Sequence, residues 1–138
     1  MDLSASSPLA QLFSAIKLNR PLLIPGDGLQ PIYPVFITDA VTGLAQAMFT
    51  TGTAGQEFVL IPHPPTTLLD FAYLLRRLAP GRQIINFSPE ANLPTSPSRP
   101  HWLIGQKHLH WQPQISLTQG IRHTLSWLEQ SSPPPLSS

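Results

Sequence analysis

The sequence predicts an α/β domain in which short strands alternate with about four to five helices. Apolar residues recur at the spacing of a helix in four segments, and short apolar runs typical of strands stand between them. The 17 prolines and 8 glycines among 138 residues leave little room for long regular elements. With 41% apolar residues, the chain can bury the core of one domain of ordinary size.

The first predicted helix opens after Pro8, and its buried face comprises Leu9, Leu12, Phe13 and Ile16. The stretch "PLLIPGDG" then predicts a short strand and a turn. Gly26 and Gly28 are interpreted as turn glycines rather than as a phosphate cradle, because no helix N-terminus directly follows them.

Residues 35–37 predict a second short strand, followed by a helix that Thr38 or Asp39 caps with its side-chain oxygen. Asp39 is therefore interpreted as a helix cap rather than as an acid or base. The apolar spacing predicts that this second helix buries the side chains of Val41, Leu44, Ala45 and Met48.

The stretch "EFVLI" predicts a buried strand, and Thr67 and Asp70 stand at the spacing of a capping box at the start of a third helix. The buried face of that helix comprises Leu68, Phe71, Ala72 and Leu75. The stretch "APGRQ" ends the helix, and "IINF" predicts another strand.

The proline- and serine-rich stretch "SPEANLPTSPSRP" predicts an exposed loop, and a short helix is expected around residues 101–109. Ser116 and Gln119 cap a last helix, whose inward residues are Leu117, Ile121, Leu125 and Leu128. Trp111 and Trp127 are expected to anchor the core or an interface, and His63 to face solvent. We expect one domain over residues 1–130 and a disordered Pro/Ser tail over residues 131–138.

Composition excludes several classes of function. A net charge of +1 with scattered Lys and Arg residues gives no basic face, so we expect no binding to nucleic acid. The absence of cysteines and the unmatched positions of the five histidines predict no metal site. No apolar run is long enough to span a bilayer and no secretory signal is visible, so we expect no membrane association and a cytoplasmic location.

Three stretches together resemble the C-terminal, substrate-binding part of the NAD-dependent epimerase/dehydratase family, within the extended short-chain dehydrogenases/reductases. The first is a G-D-G turn with a following Gln30 and a segment that leads to Asp39. The second runs from Phe58 through the Thr-capped helix to Leu75. The third matches a closing pattern through the following residues: Leu109, Trp111, Pro113, Ser116, Leu117, Gly120, Ile121 and Trp127.

This resemblance implies a small α/β lobe that grips a nucleotide sugar, without the Rossmann half that binds NAD(P) in full-length members. The 138 residues contain no G-x-x-G-x-x-G turn, so we expect no cofactor to be bound by this chain alone. They also contain no Tyr with a Lys four residues on, so no catalytic residue is assigned and activity of the chain alone is not expected.

The candidate substrate-binding residues that the resemblance implies are Gln30, Tyr33 and Arg99. Ile32 stands where many members of the family carry a phosphate-binding Arg, which leaves Arg99 as the candidate for a diphosphate contact. Two interpretations without ligand binding stay open at this point: Arg99 can be a solvated loop residue, and Tyr33 can pack over the adjacent helix.

Two classes of function therefore remain. The chain is either a truncated or split epimerase/dehydratase-like protein that binds a nucleotide sugar beside a Rossmann-domain partner, or a non-catalytic protein-interaction module, self-association included. A gene remnant, or the lobe of a dehydrogenase acting on another hydroxy-carbonyl substrate, is the third alternative.

Overall fold

The computed structural model describes residues 7–61, 64–89 and 103–131. Within these ranges the helices are α1 (Pro8–Lys17), α2 (Ile37–Phe49), α3 (Leu68–Leu78), α4 (Gly105–His108) and α5 (Leu117–Gln130). The strands are β1 (Leu22–Pro25), β2 (Pro31–Ile32), β3 (Phe58–Val59), β4 (Thr66–Thr67), β5 (Ile85–Ser88) and β6 (Leu103–Ile104). Short strands alternating with helices confirm the predicted α/β class.

The described residues form two compact units. The first contains residues 7–30, 67–89 and 121–131, and the second contains residues 31–61, 64–66 and 103–120. The predicted domain over residues 1–130 and the predicted tail stay predictions.

The first unit is built around a parallel pair of strands. β1 pairs with β5, with Leu22 opposite Ile85 and Ile24 opposite Phe87. Both α1 and α3 pack against β1. The alternation of buried and exposed residues along β1 directs Leu22 and Ile24 into the core. The buried apolar side chains of this unit are Leu12, Leu22, Ile24, Leu68, Phe71, Ala72, Leu75, Ile121 and Leu125.

The start of α3 confirms the predicted capping box. Thr67 Oγ1 accepts a hydrogen bond from the Asp70 N–H at 3.0 Å and donates one to Asp70 Oδ2 at 2.7 Å. All four residues predicted to form the inward face of this helix are buried. The helix ends at Leu78, where "APGRQ" was expected to end it.

The G-D-G turn binds directly to the first turn of α3. Gly26 and Gly28 have φ angles of 62° and 72°, values that only glycine adopts readily. Asp27 Oδ1 accepts a hydrogen bond from the Leu29 N–H at 2.9 Å. The Gly28 carbonyl accepts one from the Leu69 N–H at 2.9 Å, which ties the turn to the helix.

The second unit contains two short strand pairs and a buried tryptophan. β3 and β6 pair in parallel, with Phe58 opposite Leu103. β2 pairs with β4, whose first residue belongs to this unit. Leu109 and Trp111 are the buried apolar residues of this unit. The short helix expected around residues 101–109 is present as α4, and β6 precedes it as a strand that the sequence analysis did not predict.

The predicted strand over residues 35–37 is wrong. The chain is not in a strand over residues 33–36, and α2 already begins at Ile37. Pro34 stands between β2 and this segment and lacks an N–H for a strand ladder, which disfavours continuing the strand through residues 35–37.

The predicted cap of α2 is also wrong. Phe36 occupies the N-cap position and no side chain caps the helix. The Thr38 carbonyl accepts a hydrogen bond from Thr42 Oγ1, and the Asp39 carboxylate turns to a different part of the chain.

The predicted buried face of α2 is the largest departure from the sequence expectation. Val41, Leu44 and Met48 are exposed, and Ala45 is half-buried. The helix instead buries Asp39 and Gly43. The apolar spacing therefore identified the helix correctly but assigned the wrong side of it to the core.

The last helix confirms its predicted capping box. Ser116 Oγ accepts a hydrogen bond from the Gln119 N–H, and Gln119 Oε1 accepts one from the Ser116 N–H. Ile121 and Leu125 are buried as expected, and the two outer members of the predicted face are half-buried. Trp127 is 62% exposed and is not a core anchor.

Several predictions fall outside the described residues. These are most of the predicted exposed loop, the solvent-facing position of His63 and the Pro/Ser tail beyond Ser131. Among the described residues, no helix combines the length and apolar character needed to cross a membrane.

We predict that Gly28→Ala destabilises the fold more than Gly52→Ala does. Both glycines have a positive φ, so each substitution should cost about 1–2 kcal/mol in backbone strain. An added Cβ at Gly28 would also lie 2.6 Å from Ile24 Cγ2, whereas at Gly52 no described atom lies within 4 Å. This overlap should add about 1–3 kcal/mol to the loss of unfolding free energy in Gly28→Ala, as measured by urea unfolding. Equal losses in the two variants would contradict the close approach of Gly28 to Ile24.

Candidate functional site

Gln30 lies at the end of the G-D-G turn, beside the start of α3. Its carbonyl accepts a hydrogen bond from the Leu68 N–H at 3.2 Å, which fixes its backbone. Its side-chain Nε2 atom is buried and has no hydrogen-bond partner among the described residues. A buried NH₂ group without an acceptor is unfavourable, but because this atom is shielded from solvent, a ligand oxygen can reach it only when the side chain moves.

The N-terminus of α3 is closed to anions by the chain itself. The N–H groups of Leu68, Leu69 and Asp70 already donate to the Gln30 carbonyl, the Gly28 carbonyl and Thr67 Oγ1. Free N–H groups at this position are what makes a helix N-terminus bind phosphate. The first turn of α3 therefore does not offer a phosphate site.

The residues after β1 do not fit a dinucleotide. In a dinucleotide cradle, the glycine turn after a strand opens directly into a helix, whose first N–H groups face the pyrophosphate. Here the turn after β1 leads to Gln30 and then to β2.

The other two predicted site residues are placed differently. Tyr33 belongs to the second unit, and its side chain is 51% exposed, so its ring is accessible from solvent. Arg99 lies outside the described residues. The contribution of these three residues to one binding site therefore stays a prediction.

Asp39 is a buried residue of the second unit that accepts three hydrogen bonds. Its side chain is only 4% exposed. Oδ1 accepts a hydrogen bond from the Gln114 N–H and Oδ2 accepts one from the Ile115 N–H, both at 3.0 Å. The Asp39 carbonyl accepts a third, from Trp111 Nε1 at 2.8 Å.

These bonds assign Asp39 a structural role. Both carboxylate oxygens are occupied by backbone donors, which leaves the group poorly placed to take a proton from a substrate. The predicted role of Asp39 as a helix cap is wrong, and the partners that replace the cap lie 75 and 76 positions away along the chain. Asp39 and Trp111 both lie in the stretches that carry the family resemblance. That is the sequence signal that could have indicated a contact between their segments.

The described residues contain no group of three or more His, Cys, Asp or Glu side chains that could hold a metal ion. The ring of His108 lies near that of Phe58, with the ring centroids 6.3 Å apart.

The chain is similar in sequence to one class of enzyme. No family model matches it. It is 28% identical over 113 residues to UDP-glucuronic acid decarboxylase 1 of Danio rerio. The aligned region covers 81% of this chain and 26% of that protein.

The fold is similar to solved epimerases. An epimerase from Methanothermobacter thermautotrophicus matches with a TM-score of 0.76 and 19% identity, over 91% of this chain and 38% of its own. UDP-glucuronic acid 4-epimerase from Bacillus cereus, in complex with UDP-glucuronic acid and NAD, matches with a TM-score of 0.73 and 22% identity, over 92% of this chain and 41% of its own.

These matches confirm the resemblance seen in the sequence. The chain has the fold of the C-terminal part of the extended short-chain dehydrogenases/reductases. It spans about a quarter of the curated relative and about two fifths of the solved chains.

We predict that Asp39→Asn lowers the free energy of unfolding by about 2–3 kcal/mol, because it weakens two charge-assisted hydrogen bonds in a buried site. Asp70→Asn is the matched control, since Asp70 is likewise the third residue of its helix but is exposed. The loss of unfolding free energy in Asp70→Asn should stay below about 1 kcal/mol. Urea unfolding of both variants checks this, and a similar loss in both would refute the role of Asp39.

We predict that Gln30→Met leaves the stability of the free chain within about 0.5 kcal/mol of wild type, because the Gln30 Nε2 atom has no described partner to lose. Gln106→Met should instead cost about 1 kcal/mol, because Gln106 Nε2 donates to the Ile61 carbonyl. Thermal and urea unfolding measure both effects. A clear loss for Gln30→Met would mean that its amide has a partner within the chain.

Proposed function

We propose that this chain is the nucleotide-sugar-binding lobe of a truncated or split NAD-dependent epimerase/dehydratase. The observation that carries the proposal is the fold match over 92% of the chain to an epimerase that holds UDP-glucuronic acid and NAD. The sequence likeness to a UDP-glucuronic acid decarboxylase points to the same class of substrate.

Three residues are proposed to contact the nucleotide sugar. Gln30 has an amide NH₂ group without a described acceptor, which can donate to a hydroxyl, carbonyl or phosphate oxygen once its side chain turns toward the ligand. Tyr33 presents an exposed ring that can stack on a base or a sugar. Arg99 can hold the diphosphate through paired hydrogen bonds from its guanidinium.

The lobe does not catalyse a reaction by itself in this proposal. NAD, when bound, supplies hydride transfer in such enzymes, and the resemblance implies that a Tyr and a nearby Lys assist it. The tyrosines of this sequence are Tyr33 and Tyr73, and neither has a Lys four residues on. We therefore propose that a Rossmann-domain partner provides the NAD site and the acid–base pair.

We further propose a cytoplasmic location, in keeping with a chain that contains no cysteine and so needs no oxidising compartment.

The second candidate function is a protein-interaction module without nucleotide affinity. It is favoured by the exposed apolar side chains of α2, which no described residue covers.

We predict that UDP-glucuronic acid raises the melting temperature of the purified chain and gives a saturable calorimetric signal, because a ligand of the folded state stabilises it by mass action. Arg99→Ala and Gln30→Met should each weaken that binding by about tenfold, the loss of one strong polar contact. Arg82→Ala is the matched control, since Arg82 is an exposed loop arginine that is not among the three proposed contacts. NAD alone should give no shift.

The outcomes separate the two candidate functions. Binding that is lost in Arg99→Ala and kept in Arg82→Ala supports the nucleotide-sugar lobe. A folded sample that binds none of the UDP-, dTDP- or GDP-sugars would sink that function and leave the interaction module.

A further inference from the structure

Five of the eight Lys and Arg residues lie at one end of the first unit, although they are scattered along the sequence. β1 and β5 are parallel, so both strands begin at the same end of their sheet. The loop after α1 leads into β1, and the loop after α3 leads into β5. The last turns of these helices and the two loops carry the following exposed cations: Lys17, Arg20, Arg76, Arg77 and Arg82. We call this surface the basic end.

Hydrogen bonds hold the two loops of the basic end together. α1 ends in a Schellman motif, in which Asn19 has a φ of 51° and the Arg20 N–H donates to the Ala15 carbonyl at 2.8 Å. The side-chain oxygen of Asn19 accepts a hydrogen bond from Nε2 of the buried Gln83 at 3.3 Å. Arg20 and Arg82 are the chain neighbours of this bonded pair, so their backbones lie close together.

The segments that form the basic end contain no carboxylate side chain, since residues 17–22 and 76–85 include no Asp or Glu. Asp27 and Asp70 lie at the opposite end of the unit, because Asp27 follows β1 and Asp70 is in the first turn of α3. A cation in the last turn of a helix interacts favourably with the helix dipole, which accounts for three of the five. Arg20 and Arg82 lie outside the helices, so the dipole does not explain them.

Two aliphatic side chains are exposed among these cations. Leu18 directly follows Lys17 and is 52% exposed, and Ile84 directly follows Gln83 and is 65% exposed. The Leu22 N–H donates to the Ile84 carbonyl at 2.8 Å, which fixes Ile84 at the start of the sheet. Cations attract the headgroups of an anionic bilayer, and aliphatic side chains gain by entering the boundary of its acyl chains. The basic end offers both kinds of contact on one surface.

We propose that the basic end binds the surface of a membrane that contains anionic phospholipids. Clusters of about four to eight Lys and Arg residues attract such lipids. The inference goes beyond the proposed function, because none of these side chains is among the proposed contacts to the nucleotide sugar. It revises the expectation of no membrane association, since binding at the surface needs no segment that spans the bilayer.

The basic end is less suited to nucleic acid than to lipid. Exposed aliphatic side chains gain little from a charged phosphate backbone. Proteins that bind single strands commonly stack the bases on exposed aromatic rings. Tyr73 is the exposed aromatic residue of α3, and the Arg76 guanidinium already lies over its ring, 5.1 Å from the centroid. That face of the ring is therefore occupied.

The experiment measures co-sedimentation of the purified full chain with lipid vesicles. One set of vesicles is phosphatidylcholine alone, and the other contains about 30% phosphatidylserine, both at roughly 0.1 M NaCl. The chain should bind the anionic vesicles at least about tenfold more tightly, because each cation near such a surface contributes about fivefold in affinity. Raising NaCl to roughly 0.5 M should weaken this binding by about tenfold.

Arg77→Glu and Lys107→Glu form a matched pair. Both residues are exposed cations in the last turn of a helix, but Lys107 belongs to α4 in the second unit. Both substitutions change the net charge equally. Arg77→Glu should lower the affinity for anionic vesicles by at least about tenfold, whereas Lys107→Glu should stay within about twofold of wild type. Both variants should melt within a few degrees of wild type, because both positions are exposed.

Ile84→Ser tests the aliphatic contact without changing the charge. It should lower the affinity for anionic vesicles by about three- to tenfold, because less apolar surface leaves water on binding. Leu44→Ser is its control, since Leu44 is 64% exposed but lies on α2 in the second unit, and its affinity should match wild type. A loss in Leu44→Ser alone would place the lipid contact on α2 and overturn the proposal.

Three further outcomes would overturn the proposal. Equal affinity for neutral and anionic vesicles, or equal losses in Arg77→Glu and Lys107→Glu, would show that the basic end does not bind anionic lipid. Inorganic phosphate that displaces the chain more strongly than NaCl at equal ionic strength would identify a phosphate site instead of a lipid surface. Binding to duplex DNA at the same salt concentration without binding to vesicles would identify nucleic acid as the partner.

Discussion

The carboxylate of Asp39 is the interaction on which the second unit depends. It joins the first turn of α2 to the backbone of residues 114–115, while the Asp39 carbonyl holds the indole of the fully buried Trp111. A buried carboxylate is tolerated only when its oxygens are hydrogen-bonded, and here backbone donors bond both of them. Its place in the first turn of a helix adds a favourable interaction with the helix dipole. One residue thus fixes the position and the rotation of a whole helix.

That rotation decides what α2 presents to solvent. Because Asp39 and Gly43 face inward, the large apolar residues of the same helix face outward. Two opposite sides of α2 are therefore suited to contacts, one polar and small, the other apolar and large. The apolar side is the one that periodicity alone assigns to the core, since burial of large side chains normally dominates. In α2 the inward side is instead held by the hydrogen bonds of Asp39, and the large apolar side chains stay exposed.

Local chemistry allowed much of the fold to be predicted from the sequence. Both capping boxes, the inward face of α3 and the strand before the G-D-G turn depend on neighbours within a few residues, and the structure has all of them. The failures depend on distant partners. The role of Asp39 requires residues 75 positions away, and the rotation of α2 follows from that role. The sequence supplied Gln30, Tyr33 and Arg99 as candidate binding residues, but only the structure shows that the Gln30 amide is buried without a described acceptor.

The closed N-terminus of α3 constrains how this lobe can recognise phosphate. Folds that bind nucleotides commonly use the free N–H groups of a helix start, which carry partial positive charge at no cost in side-chain entropy. Here the G-D-G turn and Thr67 have taken those donors to hold β1 and α3 together. In the function proposed above, recognition of a diphosphate would come from side chains, and with Ile32 in place of a guanidinium it would fall to Arg99 and to amides such as that of Gln30. Under that proposal the affinity should be sensitive to single side-chain truncations, because the first turn of α3 offers no free N–H groups to compensate for their loss.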